Sequence, residues 1–173
     1  NDGAAITRAY DALSRLTAET DATGGTTTYA YDGLGNPVSV TNPLGVTSNI
    51  QYDARGLPVR RESPMDDGAL AITRYWYDAN GRLEAMTDPE GGVTRYAYDS
   101  RGNLIRAEQR VSAFESIITV YTYDREGRIL SGKTGGAQTS YTYDELGRLV
   151  AETDALGQLT GYQYDIAGNL TSK

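Results

Sequence analysis

Eight aspartates, each directly preceded by a tyrosine, are the residues of this 173-residue chain best suited to chemistry. The Tyr-Asp pairs begin at Tyr10, Tyr31, Tyr52, Tyr77, Tyr98, Tyr123, Tyr143 and Tyr164. Paired carboxylates could hydrolyse a glycosidic bond. Acidic turns could hold Ca²⁺, and tyrosine rings could stack on sugars. Other reactive classes are missing: cysteine and histidine are both absent. That removes thiolate nucleophiles, histidine triads, Cys/His zinc sites and imidazole bases. The remaining carboxylates belong to a repeat, and no unique cluster departs from it. The chain is therefore expected not to be an enzyme and to need no cofactor or metal.

The elements that carry these residues recur. The steps between Tyr-Asp pairs are 21, 21, 25, 21, 25, 20 and 21 residues. A glycine follows four residues after the tyrosine at Gly35, Gly56, Gly81, Gly102, Gly127, Gly147 and Gly168, with Ser14 in the first copy. Two residues further come Leu16, Pro37, Pro58, Leu83, Leu104, Ile129, Leu149 and Leu170. A second tyrosine lies two residues before the first, at Tyr29, Tyr75, Tyr96, Tyr121, Tyr141 and Tyr162, so all 14 tyrosines fall inside the motif. Thr27, Ser48, Thr73, Thr94, Thr119, Thr139 and Thr160 stand two residues earlier again, except that Ile50 replaces the second tyrosine in the third copy.

Thr-x-Tyr-x-Tyr has period two, which puts its three side chains on one face of a strand. Threonine and tyrosine also favour strands. The segment after the glycine reads as a second strand, so each repeat is two antiparallel strands and two turns. Aspartate suits the first position of a type I turn and glycine the fourth. Its carboxylate can accept the N–H two residues on, and glycine can take positive φ and form the bulge that returns the chain. Asp32, Asp53, Asp78, Asp99, Asp124, Asp144 and Asp165 are thus expected to shape turns, as are Asp21, Asp88 and Asp154 in the second turn of the repeat. The tyrosines are expected to pack against the Leu83-type residues of neighbouring strands.

Two repeats are longer by four residues, within 60–72 and 106–120. Longer hairpins account for both. A short helical tip in the second and a partner-contact site are the alternatives.

The expected fold is all-β: tandem antiparallel β-hairpins, about sixteen strands, in one long meander sheet. A sheet of that width curls, here into a spiral, shell or open barrel-like segment. Residues 1–173 read as one array of eight repeats. The chain starts and stops partway through a repeat and has no polar cap, so it reads as a fragment of a longer array. Flanking repeats and self-association through free sheet edges are the partners this predicts. The apolar share of 39% suits thin layers better than a thick interior. A net charge of −7 argues against nucleic acid, and no apolar run spans a bilayer.

The unit Tyr-x-Tyr-Asp-x-x-Gly-Arg-Leu, seen at Tyr75–Leu83 and Tyr141–Leu149, resembles the YD/RHS repeat family. In that family long arrays spiral into a hollow β-shell. The resemblance implies a bacterial polymorphic toxin shell, secreted or at the cell surface, enclosing a C-terminal toxin domain. Asp88 to Gly91 has the Asp-Pro-x-Gly pattern that usually closes such shells, but it falls at an ordinary turn, so the chain reads as shell wall only. The competing reading is a carbohydrate-binding or cell-surface adhesion module with glycan partners. Exposed rows of tyrosine rings would favour it, and tyrosines packed against leucines would not.

Overall fold

A computed structural model describes residues 5–173. The chain divides into two compact units, Asn1–Gly92 and Val93–Lys173. The first holds β1 (Thr7–Tyr10), β2 (Leu16–Thr20), β3 (Thr26–Tyr31), β4 (Pro37–Thr41), β5 (Thr47–Tyr52), β6 (Pro58–Pro64), β7 (Leu70–Tyr77) and β8 (Leu83–Thr87). The second holds β9 (Val93–Tyr98), β10 (Leu104–Arg110), β11 (Ser116–Tyr123), β12 (Ile129–Thr134), β13 (Ala137–Tyr143) and β14 (Leu149–Thr153). It ends with β15 (Leu159–Gly161), β16 (Gln163–Tyr164) and β17 (Leu170–Ser172).

Strand order is chain order, β1 to β8 in the first unit and β9 to β15 in the second, which makes an all-β antiparallel meander. The strand count differs from the expected sixteen for a local reason. The first strand of the last repeat is split at Tyr162, whose N–H still bonds the Val150 carbonyl at 2.9 Å. β16 and β17 then pair as a separate two-stranded sheet.

The alternation in the sequence sets the faces. In β3 the pattern alternates exposed and half-buried, with Thr27, Tyr29 and Tyr31 on the half-buried side. Trp76 lies between Tyr75 and Tyr77, so it takes the opposite face, where it is exposed. Among the described residues no side chain is fully buried, and there is no hydrophobic core. Each face of the sheet is therefore held by lateral contacts between neighbouring strands. Hydroxyl pairs across strands supply some of these, including Thr20 with Thr26 at 2.9 Å and Thr119 with Thr134 at 2.8 Å.

Two registers recur. Within a repeat, the Tyr-Asp tyrosine opposes the Leu83-type residue directly, as in Tyr31 with Pro37, Tyr77 with Leu83 and Tyr143 with Leu149. A bulge follows at each of these pairs. Between repeats, backbone pairing starts two residues after the Leu83-type position and three before the next tyrosine. The pairs are Ala18–Thr28, Ser39–Asn49, Arg60–Arg74, Arg106–Val120, Ser131–Ser140 and Ala151–Gly161. The four extra residues of the longer repeats fall at the other end, where β6–β7 runs out to Pro64–Leu70 and β10–β11 to Arg110–Ser116. Both insertions are hairpin extensions. A five-residue turn, not a helix, carries Phe114 at the second tip, where the Val111 N–H bonds the Glu115 carbonyl at 3.0 Å.

Candidate functional site

The Tyr-Asp turn is the unit from which any site must be built, and its hydrogen bonds account for the carboxylate oxygens in turn. In the turn at Asp78, the Asp78 N–H bonds the Arg82 carbonyl at 2.9 Å and the Gly81 N–H returns to the Asp78 carbonyl at 3.0 Å. Oδ1 of Asp78 accepts the N–H groups of Asn80 and Arg82, both at 2.9 Å. Oδ2 accepts Nε of Arg82 at 2.7 Å. Gly81 holds φ of +79°, which side-chain-bearing residues adopt at a cost. The same pattern repeats at Asp11, Asp32, Asp124, Asp144 and Asp165. In the second turn of the repeat, Asp21 and Asp154 accept the same two backbone donors.

The residue after the glycine position, which Ser14 fills in the first copy, is a partner that the sequence reading did not single out. It is Arg15, Asn36, Arg82, Asn103, Arg128, Arg148 or Asn169, and each donates to Oδ2 of its own turn aspartate at 2.5–2.9 Å. The third repeat has Leu57 there, which cannot donate. Arg55 replaces it, with Nε on Asp53 Oδ2 at 2.9 Å. A column of donors at one repeat position was visible in the sequence and would have identified the clamp.

Arginine at this place also reaches the next repeat. The Arg15 guanidinium lies 4.8 Å over the Tyr31 ring and donates to the Asp32 carbonyl at 3.1 Å. Arg148 does the same over Tyr164 at 4.8 Å, with the Asp165 carbonyl at 3.4 Å. Arg128 covers Tyr143 at 4.9 Å. Arg55 reaches the Asp78 carbonyl at 2.9 Å.

The tyrosine hydroxyls complete the link. Tyr31, Tyr52 and Tyr77 donate to the carbonyls of Leu16, Pro37 and Pro58 at 2.8, 2.9 and 2.8 Å. Tyr123, Tyr143 and Tyr164 donate to those of Leu104, Ile129 and Leu149 at 2.8, 2.9 and 2.9 Å. Each acceptor belongs to the preceding repeat and lies just beyond the point where inter-repeat backbone pairing stops. The phenol therefore satisfies a carbonyl that the ladder leaves behind. Burial pushes the Tyr52, Tyr77 and Tyr123 hydroxyls above the usual phenol range, so they stay protonated donors at neutral pH.

Electrostatics follow from these contacts. The side-chain amide of Asn36 and the N–H groups of its turn hold Asp32 below the usual carboxylate range. The backbone N–H of Arg82, with its guanidinium, does so for Asp78. Asp53, Asp99, Asp144 and Asp165 are lowered in the same manner. Desolvation is the largest influence on Asp124 and opposes ionisation, but the Arg128 donors outweigh it. A carboxylate stabilised as the anion is a poor general acid near neutral pH, because glycoside hydrolysis needs one partner held protonated. In an open depression of about 760 Å³ in the first unit, Asp32, Asp53 and Glu62 come together with Tyr52. All three carboxylates are engaged there, Glu62 by Arg60. Among the described residues no cluster of acidic side chains has the arrangement of a metal site.

The sequence pattern of the RHS Repeat family matches residues 10–47, 77–113, 123–158 and 143–173, well over half of the chain. The chain belongs to the RHS repeat family. Solved structures with the same fold include a Photorhabdus luminescens Tc holotoxin pore, at TM-score 0.74 and 21% identity, covering 84% of this chain and 9% of that one. A TcdB2-TccC3 crystal structure aligns at TM-score 0.59 and 17% identity, covering 95% and 12%. A porin-like protein from Bacteroides uniformis aligns at TM-score 0.50 and 15% identity, covering 97% and 86%. At these identities the likeness is one of fold. This RHS array spans about a tenth of the length of the Tc structures. Comparison with curated proteins gave no match.

Proposed function

We propose that this RHS array is a segment of the wall of a hollow β-shell that encloses a toxin or other effector polypeptide for secretion or delivery. The observation that carries the reading is a sheet without buried side chains among its described residues, whose repeated polar groups are engaged in shaping each turn and in joining repeat to repeat. Such a sheet separates two spaces and has no interior of its own. The fold shared with Tc toxin proteins supports the same role. On this reading the eight repeats are one array within a longer one, its partners are flanking repeats and a C-terminal toxin domain, and the parent protein is secreted or held at a bacterial surface. The tyrosines, aspartates and glycines of the motif are its structural residues. The rings of Tyr31, Tyr143 and Tyr164 lend a glycan-binding role no support, since an arginine covers one face of each.

Protease protection tests the proposal. The array, extended by its flanking repeats, is joined to a C-terminal passenger polypeptide and digested under native conditions. The passenger should survive until the array itself is cut. Digestion at the rate of the free passenger would remove the enclosing role.

A further inference from the structure

We propose that the sheet face carrying Arg74 and Trp76 is a docking surface for an acidic segment of another polypeptide, one with carboxylates beside an apolar side chain. The inference goes beyond the wall reading, because it concerns one face of the first unit whether or not an array of repeats closes. Side chains directly opposed on antiparallel strands share a face. Arg74 opposes Arg60 on β6 and Thr87 on β8, and Arg60 in turn opposes Gln51 on β5. Trp76 lies two residues beyond Arg74 on that face, opposite Ala85, and is 46% exposed. β7 is flanked by β6 and β8, so the surface is a face of the sheet and not an edge.

Charge and ring together set the chemistry of the partner. Like charges directly opposed destabilise a strand pair, and Arg60 with Arg74 is such a pair. Among the paired positions of that face in the first unit, Glu62 is the only carboxylate, and it is taken by Arg60. Arg60 still leaves its Nε without a partner. Glu84 stands outside these pairs, at the bulge opposite Tyr77. Arg74 is exposed and makes no ion pair or hydrogen bond among the described residues. Arg8, Arg15, Arg55 and Arg82 each have a carboxylate. On a chain of net charge −7, the row from Gln51 to Thr87 is thus locally cationic. No cation covers the Trp76 ring among the described residues, whereas Arg15 covers Tyr31. Tryptophan and arginine are the side chains that most often dominate protein–protein contacts. The surface is also flat, since the depression that reaches Glu62 does not extend to Arg74 or Trp76. A small ligand needs a cleft with convergent polar groups. An extended peptide does not, and its alternate side chains recur at about 6.8 Å, the spacing of Arg74 and Trp76 along β7. It can lay a carboxylate on the first and an apolar group on the second.

Trp76 is the only tryptophan of the chain, so its emission reports occupancy directly. The protein is titrated with a peptide of glutamates around one phenylalanine, with the lysine counterpart of that peptide, and with an anionic oligosaccharide. A saturable change is expected with the acidic peptide alone. Arg74→Gln should weaken binding at least about tenfold, as the loss of a charge-assisted contact does. Arg61→Gln removes the same charge from the tyrosine face, where Arg61 is exposed opposite Ile50 and Thr73, and should stay within about twofold. Circular dichroism checks that both variants fold. Trp76→Leu, followed by calorimetry, should also weaken binding about tenfold. No saturable response, an equal response to the lysine peptide, or equal losses in the two arginine variants would overturn the proposal. A response to the oligosaccharide alone would overturn the polypeptide assignment. Emission that shifts with the protein's own concentration in the absence of peptide would give the face to a second copy and overturn it likewise. None of these results touches the protection of a passenger by the longer array, so the two readings fail separately.

Discussion

Removing one phenol oxygen separates the tyrosines that join repeats from those that only fill the sheet face. Tyr77→Phe deletes the 2.8 Å bond to the Pro58 carbonyl and leaves the ring in place. That carbonyl lies beyond the last β6–β7 backbone pair, at Arg60–Arg74, so no ladder N–H takes over. A typical hydrogen bond contributes about 0.5–1.5 kcal/mol net, and a fully buried orphan would cost up to about 3 kcal/mol. Tyr77 is half-buried, so water can partly replace the phenol, and about 1 kcal/mol is expected. For a chain of this size that is a fall in Tm of roughly 2–4 °C. Tyr75→Phe is the internal control, since its hydroxyl makes no hydrogen bond among the described residues. It should stay within about 0.5 kcal/mol of the parent, as surface changes usually do. Urea titration of both variants, followed by circular dichroism, reads the difference directly. Equal losses, or a neutral Tyr77→Phe, would refute the assignment of the hydroxyl as the link between repeats.

Three further outcomes follow from the same geometry. Gly35→Ala should cost about 1–2 kcal/mol, because Gly35 holds φ of +91° in open space, whereas Gly33→Ala should be near neutral; equal chemical-denaturation midpoints would contradict this. Ser14 takes the glycine place of the first repeat at φ of +60°. Ser14→Gly relieves that strain but gains unfolded-chain entropy, so a small stabilisation of at most about 1 kcal/mol is expected from thermal melts. The turn aspartates, with Asp32, Asp78 and Asp144 as examples, are held below their usual pKa in the folded chain. Unfolding therefore takes up protons in acid. Their contribution is complete above the unfolded value of about 3.9 and is lost as pH falls through the folded values. Tm should be level from about pH 6 to 8 and drop below about pH 4; a Tm unchanged in strong acid would contradict the turn assignments.

Much of the fold could be read from spacing because each element announces itself by a local rule. Thr27, Tyr29 and Tyr31 alternate with exposed residues as the period of two requires. The glycines after Asp32, Asp53 and Asp78 sit at positive φ, as the turn chemistry demands. The split at Tyr162 had one signal in the sequence, Gly161, which stands where the other copies carry Thr28, Asn49, Arg74, Arg95, Val120 or Ser140 and which weakens a strand interior. The carbonyl taken by each phenol was not legible. It depends on where the ladder between repeats stops, and that is a property of two strands. The arginine clamp was within reach, because a side chain able to donate follows Ser14 or the glycine at Arg15, Asn36, Arg82 and Asn103 alike. Leu57 obscured the column, and the compensating Arg55 sits two residues away.

The central physical claim is a sheet held by lateral contacts without an interior, and the urea m-value tests it most directly. The folded chain exposes 11718 Å², against about 8,300 Å² expected for a compact globule of its mass. Unfolding then exposes only about four-fifths of the surface that such a globule would expose, and m scales with that surface. The account predicts an m-value about one-fifth below that of compact proteins of equal length. An m-value equal to theirs, from a two-state transition of the monomer, would mean that a buried core exists and that the wall description is wrong.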